Sequence, residues 1–416
     1  MFSISNETKR VKIILLVLLS VFFIINLYAA LNYGDLNYLG SFQRWDNDDV
    51  KYVRSAWELV DKGTFIYHRV GEPTVFIMPG LTFTVALFVK IFGQFGGITA
   101  FRIFQAVLQV FSMYLIFLIG RRIFNNRVAV IACFINLFYI SEYYAVTMIL
   151  TEVIFKFLFL LLVYLCYLAI EEKKLSYYIL GGVVWGLACL VRPTVAAFPA
   201  VILVMWLIKK YSFKDMVKYT VVTTLVFAIV MAPWWIRNYL VFGQFIPLTL
   251  STGNPFLQGT YINYDETRNY TSIELGKNAL ETNRIEMQAG LYRLKTYFWQ
   301  EPLSYLYWYT IGKSKYFWMA PFYWKTMFGI SIFKAVVAHY IILIIAILGA
   351  IKGFISKNKG FLYLFLTIAF TNLMYLPYYT MSRYSYPLMP IVGIIAASMI
   401  YAVLVGLKKL TLKRVR

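Results

Sequence analysis

The stretch VKIILLVLLSVFFIINLYAAL, residues 11–31, decides the fold of this chain and carries a single charge, Lys12. Its apolar run of about 19 residues is long enough to cross the ~30 Å hydrocarbon core of a bilayer as a helix. The run also exceeds the roughly 7 to 15 residues expected of a signal-peptide core. Lys9 and Arg10 precede it, so the sequence predicts an uncleaved anchor whose N-terminus stays in the cytoplasm.

The rest of the sequence has the same character. Hydrophobic residues make up 61% of the 416 positions and only 14% are charged, which does not fit a soluble domain. The bilayer core offers the backbone no hydrogen-bond partners, so such segments must cross it as helices. The sequence therefore predicts an all-α polytopic membrane protein with about ten transmembrane helices. They are predicted at residues 11–31, 98–120, 128–141, 150–170, 175–191, 194–208, 216–236, 331–351, 361–378 and 385–406.

Loop charges predict the orientation of these spans. The positive-inside rule places basic segments in the cytoplasm, and four such segments occur at 121–127, 209–218, 352–360 and 408–416. The alternation holds only if residues 79–93 do not cross, and this short stretch is predicted to lie at the interface as an amphipathic helix. Two regions, 32–97 and 237–330, are then external, and both termini are cytoplasmic.

The net charge of +21 follows from this topology and is not a nucleic-acid footprint, which would need a soluble basic face. The three cysteines, Cys133, Cys166 and Cys189, fall inside predicted spans, so they are expected to be packing residues rather than disulfide partners. Neither a repeat nor an inserted soluble domain interrupts the pattern. Residues 1–416 are predicted to form one membrane domain that carries the two external regions.

Acidic residues are few, 19 in all, and three of them stand in FQRWDNDDVKYVRSAW, residues 42–57 of the first external region. Apolar residues then recur at helical spacing, so Asp48 and Asp49 fall in the first turn of an amphipathic helix. Two interpretations stay open. Asp is favoured at a helix start as a cap and by the helix dipole, or a carboxylate here takes part in chemistry.

Polar residues at the external ends of the spans are further candidates. Glu152 opens the fourth span, four residues before Lys156, which favours an intrahelical ion pair, while polar groups at membrane depth also mark substrate paths. Arg192, Arg237 and Arg383 stand at external helix ends, against the positive-inside trend. A single arginine of this kind would extend its side chain to the membrane–water interface. Three of them beside external acids indicate an anion site, because guanidinium groups bind phosphate well.

In their order and spacing, several segments resemble the membrane-embedded glycosyltransferases of the GT-C superfamily. The resemblance is to the family 39 group of protein O-mannosyltransferases and lipid A aminoarabinose transferases, and it runs through most of the chain. The segments are WDNDDVKYVRSAWELVDKGTF (45–65), FIMPGLTF (76–83), GRRIFNNRVAVIA (120–132), LTEVIFKFLFLLLVYL (150–165), GLACLVRPTV (186–195), MAPWWIRNYLVFGQFIPLTLSTGNPFLQG (231–259) and SRYSYPLMPI (382–391).

The resemblance implies a GT-C type bundle with external juxtamembrane helices and a catalytic base in the first external loop. In such enzymes an acid at a helix start, four residues before an aromatic, acts on the acceptor hydroxyl. This pattern matches Asp48 ahead of Tyr52, with Asp49 in the neighbouring acidic position. The donor in these enzymes is a sugar carried on a polyprenyl phosphate.

The same resemblance implies the contacts to the donor. Glu152 matches an acid at the start of the fourth span, and Arg383 with Tyr384 matches the pair before the last span. Tyr52, Glu152 and Tyr384 are therefore expected to support the substrate or a metal. A divalent metal ion could share the work, although the ligand spacing does not require one. The donor phosphate is expected to contact Arg383, Arg237, Arg192 and Lys156.

The sequence departs from the family pattern at one place in the first loop. Members of the aminoarabinose type carry an acid and a lysine before a double proline, whereas Phe76, Ile77 and Met78 stand here. Glu72 is the nearest replacement. The chain also lacks the soluble domain that some protein mannosyltransferases insert between spans, so the acceptor, whether protein, lipid or envelope glycan, stays open.

These observations predict a multi-pass membrane protein that acts as an inverting glycosyltransferase at the external face of the membrane. Two alternatives remain. A lipid or polymer transporter also carries intramembrane charges, although no inverted repeat is present. A non-catalytic assembly subunit would use the aromatic stretch at 295–324 as a docking surface, but that stretch equally suits an interfacial belt of Trp and Tyr.

Overall fold

The computed structural model describes residues 2–5 and 7–414, and within these ranges the chain is helical, without a β-strand. Short 3₁₀ turns lie at Pro193–Ala197, Ile262–Tyr264 and Ser382–Leu388, and one π-helical turn lies at Trp308–Gly312. The α-helices are α1 (Lys9–Tyr33), α2 (Asp48–Lys62), α3 (Gly80–Phe92), α4 (Gln94–Ile123), α5 (Asn126–Leu137), α6 (Ser141–Ala145), α7 (Glu152–Glu172), α8 (Leu175–Cys189), α9 (Pro199–Ile208), α10 (Phe213–Phe242), α11 (Gly253–Gly259), α12 (Ala279–Tyr297), α13 (Pro302–Tyr307), α14 (Lys313–Trp318), α15 (Ile332–Ile355), α16 (Lys359–Tyr375) and α17 (Met389–Arg414).

Six helical segments of the described chain are long and apolar enough to cross a membrane. They are Lys9–Tyr33, Gln94–Ile123, Glu152–Glu172, Phe213–Phe242, Ile332–Ile355 and Ser382–Lys408. The other predicted spans fall on the shorter helices α5, α8, α9 and α16, which pack among the long ones. Each of the ten predicted spans therefore lies on a helix, and the all-α, multi-pass fold class is confirmed.

Small residues set the closest contacts between the spans. Gly182 and Gly186 lie about one turn apart on α8, and a Cβ at Gly186 would come 2.7 Å from Cγ1 of Val230 on α10. A Cβ at Gly349 on α15 would come 2.5 Å from the Ile395 carbonyl oxygen of α17. In a bilayer, helices associate through van der Waals contact and not through the hydrophobic effect, so small residues at these points allow the backbones to approach.

Helix α3 lies along one end of the bundle. At its start the Gly80 N–H donates to the Leu190 carbonyl, just beyond α8, at 2.7 Å. At its other end a turn at Gly93, with φ of +74°, leads directly into α4. Because the spans between them alternate in direction, the start of α4 and the end of α8 belong to the same side of the bundle. Both ends of α3 therefore lie on one side of the bundle, and the interfacial position of residues 79–93 stays a prediction.

Residues between α10 and α15 bind the loop that leads from α16 to the last span and hold it in place. Lys313 on α14 donates through Nζ to the Leu376 carbonyl at 2.6 Å. The N–H of Thr380 donates to the Tyr264 hydroxyl at 2.6 Å. These contacts fix the backbone immediately before the 3₁₀ turn that carries Arg383.

Candidate active site

The acidic residues that open α2 do not share one role. Asp49 is fully buried, and its carboxylate accepts the backbone N–H groups of Leu39 and Gly40 at 2.7 and 3.2 Å. Burial raises the pKa of this carboxyl. Its oxygens hold the preceding loop and face no cavity, so the structure gives Asp49 a structural role in place of the catalytic one that the sequence indicated.

Asp48 is bound by side chains rather than by the helix it opens. Its side chain is 40% exposed. The Tyr67 hydroxyl donates to Oδ1 at 2.8 Å, and the Arg383 guanidinium donates to Oδ2 at 3.0 Å. Burial raises the pKa of the Asp48 carboxyl, but Arg383 and Tyr67 outweigh it, and the net pKa lies below the ordinary value. Asp48 is therefore an ionised carboxylate at neutral pH.

Glu152 lies on the inner side of the same site. Its Oε1 accepts Nη2 of Arg192 at 2.5 Å and lies 3.9 Å from Nε of Arg383. Arg383 thus stands between two carboxylates, Asp48 and Glu152. Of the two interpretations left open for Glu152, the intrahelical pair with Lys156 does not form, because Arg192 and Arg383 from other segments bind the glutamate.

Lys156 belongs to a second group, about one helical turn further along α7. It forms an ion pair with Glu142 in which both side chains are 0% exposed, and it also donates to Gln109 and to the Tyr386 hydroxyl. The Tyr386 hydroxyl donates to Glu142 at 3.0 Å. We call these four residues the buried cluster. Lys156 is enclosed here and does not line the cavity of the site, so the predicted phosphate contact from Lys156 is not supported.

We call Asp48, Glu152, Arg192 and Arg383 the site cluster. Three of its polar atoms are buried and find no hydrogen-bond partner among the described residues: Nη1 of Arg192, Nε of Arg383 and Oε2 of Glu152. Leaving such an atom unpaired costs about 1–3 kcal/mol, and more for charged groups. Unpaired guanidinium donors at one place therefore indicate a site that binds an anion.

Asp48, Arg192 and Arg383 of the site cluster line an open cavity of about 250 Å³. The stacked rings of Tyr375 and Tyr384, 4.9 Å apart, form one wall, and Tyr52 lies beside Tyr67 at 5.3 Å on another. The predicted residues Tyr52 and Tyr384 thus do belong to the site. Hydroxyl and apolar groups complete the lining: Thr151, Thr194, Thr249, Ser251, Phe76, Ile77, Met78, Val191 and Pro193.

Two further cavities in the bundle share single lining residues with this cavity or with each other. Thr194 lines both the site cavity and a small cavity against α16, and Phe198 lines that small cavity and a larger one of about 290 Å³. The larger cavity lies between α7, α8, α9 and α10 and extends to Tyr177 and Trp206 near the other ends of α8 and α9. A mainly apolar cavity therefore lies in the bundle near the charged site, and the small cavity stands between their linings.

Arg237 lies outside the site cavity. Its Nη1 donates to the Thr74 carbonyl at 2.7 Å, and its guanidinium lies over the rings of Trp234 and Phe242 at 5.3 and 5.2 Å. The hydrogen bond fastens the segment that precedes α3 to α10, and the ring contacts fix the guanidinium against α10 itself. Arg237 is thus a structural residue, and the phosphate contact predicted for it is corrected.

Comparison with known proteins agrees with this architecture. Residues 73–236 match the family model described as dolichyl-phosphate-mannose-protein mannosyltransferase. A search of the curated proteins found no match.

Solved structures match over nearly the whole chain. ArnT of Cupriavidus metallidurans bound to undecaprenyl phosphate gives a TM-score of 0.54 at 14% identity, covering 94% of this chain and 60% of ArnT. The archaeal oligosaccharyltransferase AglB of Archaeoglobus fulgidus, in complex with an inhibitory peptide and a dolichol-phosphate, gives 0.55 at 16% identity, covering 96% and 51%. The chain has the GT-C fold. The resemblance to GT-C membrane glycosyltransferases is confirmed, and the chain spans little more than half the length of either match.

One part of this GT-C site is apolar where the resemblance implies charge. Phe76, Ile77 and Met78 line the cavity and bring neither an acid nor a lysine. Glu72, the suggested replacement, is exposed and pairs with Arg69 at 3.4 Å. It does not line the cavity, so it does not take over the missing charge.

The residues of this GT-C cavity do not form a ready metal site. Within the described ranges no three His, Cys, Asp or Glu side chains converge as ligands. Arg383 and Tyr67 already bind Asp48, and arginines bind Glu152. A structure of the Archaeoglobus fulgidus oligosaccharyltransferase in complex with Zn and sulfate matches with a TM-score of 0.54 at 13% identity, covering 94% of this chain and 49% of that one. In this chain, Asp48 and Glu152 are thus engaged by arginines and Tyr67 and are not arranged as metal ligands.

Sequence reasoning missed two residues of this GT-C bundle that hold others in place. Tyr67 lies 19 positions from Asp48 in an irregular segment, and no periodic signal links the two. Glu142 did carry a signal, because it brackets the same short turn as Glu152. Glu142 is a second acid at that turn and can neutralise Lys156. The i,i+4 spacing had instead suggested Glu152 as the partner of Lys156.

Proposed function

We propose that this chain is an inverting glycosyltransferase that moves a sugar from a polyprenyl-phosphate donor to a hydroxyl acceptor at the external face of the membrane. One observation carries the proposal: a single cavity is lined by the ionised carboxylate of Asp48 and by Arg192 and Arg383, each of which keeps a buried guanidinium nitrogen without a partner among the described residues. A carboxylate suits proton removal from a hydroxyl, and paired guanidinium groups suit a phosphate.

The proposed reaction is a single displacement. Oδ2 of Asp48 takes the proton of the acceptor hydroxyl while the acceptor oxygen forms a bond to the anomeric carbon. The bond from that carbon to the phosphate oxygen breaks, and its electron pair leaves with the lipid phosphate. Attack from the side opposite the leaving group inverts the anomeric centre. General-base assistance of this kind contributes typically about 10² to 10⁴ in rate.

The arginines of the site cluster stabilise the negative charge that this step creates on the leaving phosphate. Loss of the sugar turns a phosphodiester into a phosphomonoester, which gains one negative charge as the bond breaks. Arg383 and Arg192 would meet that charge with fixed donors in a site that is partly shielded from water, where charge stabilisation is most effective. The carboxylate of Glu152 holds Arg192 in place for this role.

The carrier lipid has a matching path. A mainly apolar cavity lies between α7, α8, α9 and α10, and a small cavity shares Phe198 with its lining and Thr194 with the lining of the charged site. An isoprenoid chain placed there would leave its phosphate at the site cluster. The structures of ArnT and AglB that resemble this chain were determined with undecaprenyl phosphate and a dolichol-phosphate, which supports the same class of carrier.

The proposal is tested by transfer in a reconstituted system. The full chain in liposomes receives a polyprenyl-phosphate sugar extract and an extract of envelope acceptors, and mass spectrometry follows the lipids. We expect free polyprenyl phosphate to accumulate only when acceptor is present, with the sugar recovered on the acceptor in the inverted configuration. Movement of intact sugar lipid between leaflets without loss of the sugar would instead support the transporter alternative and contradict the proposal.

A further inference from the structure

Asp48 has donors on both of its oxygens. Tyr67 donates to Oδ1 at 2.8 Å and Arg383 to Oδ2 at 3.0 Å. A carboxylate bound in this way is a poor base, because its lone pairs are engaged and the nearby cation favours the ionised form. The resting site therefore holds the proposed base in a masked state.

Arg383 uses only part of its hydrogen-bonding capacity on Asp48. Its Nε is buried, finds no hydrogen-bond partner among the described residues, and lies 3.9 Å from the nearest oxygen of Glu152. Nη1 of Arg192, in the same cavity, is also unpaired. A phosphate group brings several acceptor oxygens and matches a guanidinium in a bidentate fork, so it competes well for these donors.

We propose that the donor phosphate takes Arg383 away from Asp48, so that the base is released only when the donor is in place. The inference rests on the proposed function and adds an order to it: donor first, acceptor activation second. Tyr67 remains on Oδ1, which keeps the carboxylate oriented and leaves Oδ2 as the free basic oxygen. An acceptor hydroxyl or a water that arrives before the donor meets a masked base.

When Arg383 leaves Asp48, two effects change the proton affinity of this carboxylate in the same direction. The guanidinium that stabilises the carboxylate withdraws, and an anionic phosphate enters nearby, and both raise the proton affinity of Asp48. An opposite charge beside an Asp depresses its pKa by roughly 1–3 units, so removal of that charge returns a shift of this size. The charged and titratable groups that face Asp48 are Arg383, Tyr67, Tyr52, Lys51, His68 and Asp49.

The test follows the protonation of Asp48 without relying on transfer. A hydrophobic carbodiimide modifies protonated carboxyls, and mass spectrometry of the peptide that contains Asp48 gives the pH midpoint of its modification. The full chain is labelled across a pH series with and without undecaprenyl phosphate, and retained lipid is measured in the same samples. We expect the midpoint to rise by roughly 1–3 units when the lipid is bound.

Two variants sharpen this test. Arg383→Gln removes the mask, so its midpoint should be high without lipid, and saturating lipid should add only the smaller rise that the phosphate charge itself produces. Tyr67→Phe removes only the second donor, so its midpoint should also start higher but should keep the lipid-dependent rise. A residue that merely held the fold would not make the midpoint depend on lipid.

The outcomes separate the two proposals. Lipid that is retained without any shift in the Asp48 midpoint would overturn the release while leaving the proposed function standing. A chain that retains no undecaprenyl phosphate would overturn both. Modification of Asp49, which is buried in the same peptide, should be insensitive to lipid and serves as the internal control.

Discussion

The site cluster and the buried cluster lie about one turn apart on α7 and are built from similar residues, yet they differ in what they leave open. In the buried cluster Lys156 and Glu142 are both fully enclosed, and neither lines the site cavity. In the site cluster Asp48 is 40% exposed, and two guanidinium donors find no partner among the described residues. Paired charged side chains are common to both clusters, so charge alone does not identify the site.

The difference separates a structural function from a chemical one. Charges in a low-dielectric interior are held strongly when they are paired, and the pairs of the buried cluster connect α4, α6 and α7 to the turn that carries Arg383. The site cluster keeps donors that are available to a ligand. The buried cluster therefore positions the site cluster, and variants of the two should fail in different ways.

The largest expected effect is on turnover in Asp48→Asn. The substitution keeps the size of the side chain and removes the proton acceptor, so single-turnover transfer should fall by roughly 10² to 10⁴ while thermal melting stays near normal. Asp46→Asn is the matched control, because Asp46 belongs to the same loop but pairs with exposed Arg44. Near-normal transfer by Asp48→Asn would remove it from the role of base.

The next largest effect is on stability in the buried cluster. Glu142→Gln leaves Lys156 buried without its counter-charge, which should cost about 3–5 kcal/mol of folding free energy. Melting in detergent should show this loss. The paired replacement Glu142→Leu with Lys156→Met should recover most of it, because apolar side chains of similar size often replace a buried ion pair at little cost. Lost transfer with an unchanged melting temperature would instead assign the pair to catalysis.

A smaller effect is expected on donor binding at Arg383. Arg383→Lys keeps the charge but loses the planar fork, and hydrogen bonds to charged groups contribute about 1.5–3 kcal/mol, so affinity for undecaprenyl phosphate should fall roughly 10- to 100-fold. Arg237→Lys should leave this affinity unchanged, because that guanidinium packs against aromatic rings outside the cavity. Equal losses in both variants would erase the distinction between them.

The sequence predicts the bundle better than it predicts the site. Long apolar runs and basic loops determine where helices cross, and these signals are local, so all ten predicted spans fall on helices. Asp48 and Arg383 were already candidates from their positions at helix ends, and the family resemblance assigned their roles. Their contact joins positions 335 residues apart, which no spacing rule connects.

The errors share one physical origin. Helical spacing favoured a pair between Glu152 and Lys156 as one of two interpretations, but residues from other segments pair with both side chains. Arg237 stood at an external helix end like Arg192, and only the fold distinguishes the one that packs on aromatic rings from the one that faces the cavity. Local patterns give candidate residues, while the packing of distant segments decides their roles.

The smallest effect is expected in the pH dependence of donor capture. Because Arg383 and Tyr67 hold the Asp48 pKa below its ordinary value, the carboxylate of the free protein is lost only as the pH falls through that lowered pKa. The kcat/KM for the donor reports the free protein and should show no acid limb down to about pH 4. Arg383→Gln should move the limb upward. A wild-type limb near pH 6 that Arg383→Gln leaves in place would contradict the assignment.

The most direct test of the comparison is a structure of the full chain in lipid nanodiscs with undecaprenyl phosphate. The account predicts phosphate density within about 3 Å of guanidinium nitrogens of Arg383 and Arg192, with Arg383 withdrawn from Oδ2 of Asp48 and Lys156 still enclosed with Glu142. Phosphate density at Lys156 or Arg237, or an Asp48–Arg383 contact that is unchanged in the bound state, would contradict it.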